Sequence, residues 1–185
     1  MTKATVNLRN PLIWLRRLPH RNGYGVHSPF AYGLLTEVIY SPGRYYDYAP
    51  LDAQFTQRER LLRHRRVAVN RLLFRLANRW QPQYICALGA NDRQLNYLHK
   101  GCSSATFTQK TSGEAELVYL GNSPIQIPER VPNGSMLVID HLHQRRELWQ
   151  ELLVNEQASI TFDLYDVGIV IFDRKFQQQH YVINW

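Results

Sequence analysis

The chain has 185 residues, 44% of them hydrophobic and 12% aromatic, and carries a formal net charge of +7. That length is enough for one domain with a substantial core, and that composition argues against intrinsic disorder. No apolar run reaches the ~20 residues that cross a bilayer, and the N-terminus lacks the apolar centre of a secretory signal, so a cytoplasmic protein with no membrane partner is expected.

The charge is unevenly placed. Residues 1–80 hold fourteen Lys and Arg against four Asp and Glu, a balance of +10, while residues 81–185 hold eight against eleven, a balance of −3. A basic first half can attract nucleic acid or an anionic membrane. The plainer reading makes Arg58, Arg60, Arg63, Arg65 and Arg66 the solvated face of a helix. Cys86, within an apolar run, and Cys102, in a polar turn, fit free thiols better than a disulfide framework.

In chain order, residues 1–54 form an aromatic segment punctuated by Pro and Gly, and residues 55–185 an α/β domain. Ser28 as N-cap and Pro29 at the first helical position predict a short helix from Pro29 to about Tyr40, ending before Pro42. Leu62, Val69, Leu72, Leu73 and Leu76 recur at helical spacing, which predicts a longer helix over Phe55–Arg79. Strands alternating with short connections follow. Tyr84–Leu88 reads as the first strand, Asp92–His99 as a short helix, Ala105–Gln109 as a weaker strand, and Leu117–Leu120 and Met136–Asp140 as buried parallel strands. A helix is expected over Arg145–Val154. Two strands folded at Asp166, Val167 and Gly168 come next, and QQHYVINW supplies a last extended segment.

The motifs GYGVHSPF at 23–30, RLLFRLANRWQPQYICALG at 71–89, LVYLGN at 117–122, MLVIDHLH at 136–143, and TFDLYDVGIVIF followed by QHYVINW resemble the class I S-adenosylmethionine-dependent methyltransferase fold. The likeness is in particular to a group of bacterial methyltransferase-like proteins. It implies a reduced Rossmann-like fold: a mostly parallel sheet ending in an antiparallel β-hairpin, preceded by an N-terminal helical and aromatic segment. It also implies a cofactor loop after the first strand, an acidic ribose ligand after the second, and a methyl-transfer site bordered by the loops after the fourth and fifth. Carried onto this chain, the cofactor positions are Gly89, Asn91, Asp92, Gln109, Gly121 and Asn122. Asp140, His141 and His143 are the candidate catalytic bases, since a carboxylate and imidazoles at a strand end can deprotonate a hydroxyl acceptor. S-adenosylmethionine is the implied cofactor of an active enzyme.

The chain departs from that pattern. Ala87 stands where the family has an acidic residue two places before the loop glycine, and Asn91 where it has a second glycine; asparagine can adopt positive φ and so serve the turn. The position after the second strand is Gln109 or Lys110, not a carboxylate. Ala115 lies 31 positions after Tyr84, where three complete strand-helix units would take roughly 60 to 75 residues. Pro124, Pro128 and Pro132 are too closely spaced for a helix after LVYLGN. The expectation is therefore a methyltransferase-like protein with an eroded cofactor site, with S-adenosylmethionine if active or no cofactor at all, acting as a non-catalytic binding or structural subunit. An active O-methyltransferase is the alternative and a nucleic-acid-binding module the third reading.

Gly121 and Asn122 offer no carboxylate to pair with Asp140, so a magnesium site is not expected. Two helices cover one sheet face and one the other, which leaves a gap for the aromatic N-terminal segment to wrap over or a second subunit to cover, and predicts a homo-oligomer; a small-molecule or protein partner stays open. GYGVHSPF either lines a pocket with Tyr24 and His27 or docks the arm, and Tyr45, Tyr46 and Tyr48 are either stacking platforms or packing.

Overall fold

A computed structural model describes residue 17 and residues 25–62, 64–108, 113–122 and 131–185. Helix α1 (Pro29–Gly33) starts as expected: the Ser28 hydroxyl accepts the Ala31 N–H, with Pro29 in the first turn. Its continuation over Leu34–Ile39 is a π-helical stretch rather than more α-helix, with the Tyr40 N–H reaching back to the Leu35 carbonyl. The carbonyls left at its end are taken by the buried Arg75, whose Nε and Nη2 donate to Val38 and Ile39 at 2.6 and 3.2 Å. Helix α2 (Tyr48–Asp52), unforeseen in the sequence, follows.

The helix expected over Phe55–Arg79 is seen in α3 (Gln57–Leu62) and α4 (His64–Trp80), which flank residue 63, outside the described residues. A capping box sets the start of α3, with the Thr56 N–H donating to Glu59 and the Glu59 N–H to the Thr56 hydroxyl. Helix α5 (Asp92–Gly101), a 3₁₀ turn at Leu142–Gln144 and α6 (Arg146–Leu153) complete the helices.

The strands are β1 (Tyr84–Leu88), β2 (Thr106–Thr108), β3 (Leu117–Leu120), β4 (Ser135–Asp140), β5 (Ile160–Asp163), β6 (Val167–Phe172) and β7 (Gln179–Val182). They form one sheet in the order β2-β1-β3-β4-β6-β5-β7. Every pairing is parallel except those of β6, which runs antiparallel to β4 on one side and β5 on the other. The molecule is thus an α/β protein with a mixed, mostly parallel seven-stranded sheet and an antiparallel hairpin. Between β1 and β3 the described residues hold one helix and one strand, as the short spacing in the sequence demands.

The β5–β6 hairpin does not fold at Asp166–Gly168 as expected. Its turn is Leu164–Asp166, and Tyr165 takes the left-handed conformation at φ 75°. Gly168 lies inside β6 opposite Ile139 and Asp163. A Cβ there would stand 2.7 Å from the Trp149 ring, so this glycine makes room for a core indole and does not form the turn.

Alternation along the strands divides the core. Ile85, Ala87, Leu117, Tyr119, Met136 and Val138 pack with Leu72, Leu73 and Leu76 of α4 and with Leu34, Leu35, Val38 and Ile39 of the arm. Cys86, Leu88, Val118, Leu120, Leu137 and Ile139 pack with Trp149 and Leu152 of α6. These second-face residues are at most 1% exposed in a single chain, apart from Trp149 at 3%, which removes the physical reason for expecting a second subunit to cover them. Both cysteines are buried, and neither forms a disulfide.

The described part of the arm is docked. Phe30 stacks on Phe176 with ring centroids 4.5 Å apart, while His27 is exposed. Tyr45 and Tyr48 pack on Phe74, whereas Tyr46 stands fully in solvent. Asp52 accepts from Arg71 and from the Tyr97 hydroxyl, tying α2 to α4 and α5. No helix among the described residues is long and apolar enough to cross a membrane.

Candidate functional site

Helix α4 precedes β1 and runs antiparallel to it, so its N-terminal residues stand above the C-terminal ends of the strands. In open α/β sheets that edge is where ligands bind. Here it gathers Gly89, Asn91, Gly121, Asp140, His141 and His143 from the sequence-derived set, together with side chains that the sequence reading did not assign to it.

The loop after β1 turns at Gly89 with φ 65°, and its backbone is joined to the end of β3. The Gly121 N–H donates to the Leu88 carbonyl at 2.7 Å and the Asn122 N–H to the Gly89 carbonyl at 3.0 Å. A Cβ on Gly121 would lie 2.4 Å from the Gly89 oxygen, so only glycine allows this approach. The Gly121 carbonyl in turn accepts from Arg145.

Asn91 does not take the positive φ that the turn was expected to use. It is extended, at φ −87° and ψ 167°, and caps α5 through a reciprocal pair with Gln94. Its side-chain oxygen accepts the Gln94 N–H at 3.0 Å, and the Gln94 side-chain oxygen accepts the Asn91 N–H at 2.9 Å. The helix start that the sequence suggested is therefore present, but the asparagine side chain is committed to it. Asp92 lies exposed in the first turn of α5, where its charge suits the helix dipole, and Asn122 is also exposed. Gln109 lies outside the described residues.

Asp140, 1% exposed, is surrounded by donors. Arg66 Nη1 lies 2.8 and 2.7 Å from its two oxygens, and the His141 N–H donates to Oδ1 at 2.8 Å. The Tyr119 hydroxyl and the Gln94 amide donate to Oδ2 at 3.1 and 3.4 Å. Burial, then the adjacent Asp140 charge and hydrogen bond, push the Tyr119 hydroxyl pKa up, which keeps it a neutral donor. A carboxylate with both oxygens engaged and an arginine on it is a structural anchor joining β4, β3, α4 and α5.

His141 is left-handed at φ 55°, and burial lowers its pKa, against the nearby Asp140 charge and with the help of Arg66, His143 and Arg145. Its imidazole Nε2 is 3.8 Å from Asp140. His143 stacks on Tyr165 with centroids 5.5 Å apart and planes 13° apart, and its Nδ1 faces Asp166 Oδ1 at 3.3 Å. Asp166 is gripped through Oδ2 by Arg65 Nε at 2.6 Å. Beside it, Asp163 pairs with Arg17 at 2.9 Å and Arg146 at 3.3 Å, and both guanidinium groups lie over the Tyr165 ring.

Arg65, Arg66, Gln94, Tyr119 and Asp166 are the site residues that sequence reasoning missed. One signal was available: a helix leading directly into β1 must present its first residues to the strands' C-terminal edge, which places Arg65 and Arg66 there. Among the described residues, no group of three or more His, Cys, Asp or Glu is set to hold a metal ion. Comparison with protein-family models, with curated proteins and with solved structures finds no match to this chain.

Proposed function

We propose that the chain is a methyltransferase-like protein that has given up S-adenosylmethionine and acts as a binding or structural subunit, not as a methyl-transfer enzyme. The resemblance in the sequence is supported by a helix before the first strand, a glycine turn at that strand's end and a hairpin that sets β5 and β6 antiparallel. Loss of the cofactor is supported above all by what fills its place. The Gly89 turn is packed against the Gly121 backbone, Asn91 is spent on a helix cap, and Asp140 is saturated by Arg66, Tyr119, Gln94 and its own chain. Asp140 borders the methyl-transfer site the resemblance implies, and freeing it for a ligand would break a buried ion pair, a cost of several kcal/mol.

The basic first half speaks less for nucleic acid once its partners are counted. Arg65, Arg66, Arg71 and Arg75 all reach groups of this same chain. Isothermal calorimetry with S-adenosylmethionine and S-adenosylhomocysteine is the test. The expected result is no saturable heat up to millimolar ligand; stoichiometric micromolar binding of either would overturn the proposal.

A further inference from the structure

We infer that His143 is a general base on the strands' C-terminal edge, with Nε2 taking the proton of a water or alcohol hydroxyl and Asp166 and Arg65 as positioning residues. This goes beyond the loss of the cofactor and does not depend on it, because none of these groups touches the Gly89 turn or Asp140's oxygens.

The ring nitrogens are differentiated by their surroundings. The side-chain nitrogen of Gln144 lies 3.3 Å from Nε2. With the amide nitrogen facing the ring, Gln144 donates to Nε2, and this arrangement calls for the neutral ring's proton on Nδ1. Nδ1 is buried without a hydrogen bond, yet Asp166 Oδ1 is 3.3 Å away, off the line of the N–H. Catalytic hydrogen bonds are commonly misaligned in free proteins and tighten in the substrate or transition-state complex.

The carboxylate itself is fixed from behind. Arg65 holds Asp166 Oδ2 at 2.6 Å while also donating to the Trp185 and Leu164 carbonyls at 3.0 and 3.3 Å, with its guanidinium 4.4 Å from the Trp185 ring. Base, orienting acid and a brace behind the acid are thus held in sequence. The two loops that carry them contain two of the three non-glycine residues with positive φ among those described, His141 and Tyr165. For a residue as bulky as tyrosine this conformation costs on the order of 1–3 kcal/mol, and such strain concentrates at functional positions. Tyr165 uses it to lay its ring flat against His143.

In the step inferred, the O–H bond of the hydroxyl breaks, its proton moves to Nε2, and the electron pair stays on oxygen. The Nδ1 proton remains on the ring and faces the Asp166 carboxylate, which stabilises the imidazolium. With p-nitrophenyl acetate as probe, the activated water oxygen bonds to the acetyl carbon, p-nitrophenolate leaves with its electron pair, and Nε2 later returns its proton to solvent.

The test combines two measurements on the full chain. Long-range ¹H–¹⁵N spectra of the wild type at neutral pH should show His143 protonated at Nδ1; a ring protonated at Nε2 overturns the inference. Release of p-nitrophenolate should fall about tenfold or more in His143→Gln and by a similar factor in Asp166→Asn, the order expected for losing an oriented base. An unchanged rate in His143→Gln overturns it. So does a folded Asp166→Asn variant with the wild-type rate. If Asp166→Asn fails to fold, the wild-type tautomer and the His143→Gln rate decide.

Discussion

Replacing Arg66 with alanine separates a structural carboxylate from one left available for chemistry. Asp140 is 1% exposed, so removing the guanidinium leaves an anion that water cannot reach without rearrangement. Breaking a fully buried pair by deleting one partner costs about 3–5 kcal/mol. The Arg66 side chain is 29% exposed, so part of the attraction is already screened by solvent, and Tyr119, Gln94 and the His141 N–H remain as donors. These terms reduce the expected loss to about 2 kcal/mol. For a chain of this size that corresponds to roughly 4–8 °C in melting temperature. Asp140→Asn should cost less, because Arg66 is already partly exposed and can turn to solvent. The double variant should lose less than the sum, with a coupling of about 1 kcal/mol or more. Urea unfolding of the four proteins closes the cycle. A loss below about 0.5 kcal/mol for Arg66→Ala, or strict additivity, would refute the anchor reading, since that is the range of surface substitutions.

Three further outcomes follow from the same geometry. Gly121→Ala forces a methyl group against the Gly89 carbonyl, which is backbone and cannot swing away, so denaturant unfolding should show a loss of about 1–3 kcal/mol; wild-type stability would mean the two loops are not in contact. Arg75→Met strands the Val38 carbonyl, worth about 1–3 kcal/mol when buried without a donor, while the Ile39 carbonyl keeps the Trp185 indole N–H. Limited proteolysis should then cut within residues 41–47 faster than in the wild type, and unchanged cleavage would count against Arg75 as the tie of the arm. His141 has a folded pKa held below its ordinary 6.5 by burial, so the unfolded chain takes the proton first. Its contribution is whole above 6.5 and is lost as pH falls from there toward the folded value. Stability measured from pH 8 to 5 should decline less in His141→Asn, which also tolerates the left-handed backbone; parallel curves would refute the assignment.

What the sequence disclosed, and what it concealed, divide along the range of the interactions. Leu117–Leu120 is read with its observed bounds because four consecutive apolar residues between polar ones can only be buried, and Ser28-Pro29 fixes a helix start through contacts three residues away. Asp140 is foreseen at a strand end for the same reason. Its partners are not, since Arg66 is 74 positions distant and nothing local distinguishes it from the neighbouring arginines. Gly168 misleads by another route: a glycine near a polar pair reads as a turn, while the demand comes from Trp149 on a different element. The π-helical stretch over Leu34–Ile39 is likewise concealed, because its last carbonyls accept from Arg75 and Trp185, both distant in the chain.

The charge asymmetry is the clearest case of a pattern whose meaning changes with the fold. A first half at +10 and a second at −3 suggest a basic surface looking for an acidic partner. In the folded chain Arg17, Arg65 and Arg66 from the first half meet Asp163, Asp166 and Asp140 from the second at one edge of the sheet. Each of those aspartates is less than 9% exposed, and each sits at a strand end or the adjoining turn. The complementarity is therefore internal. It fixes helix α4 over the sheet edge, with an arginine on each of the three carboxylates. The same ion pairs thus hold the fold together at the edge where Asp140 and His143 stand, and Arg65 reaches Asp166 while the Gln144 amide lies 3.3 Å from Nε2 of His143.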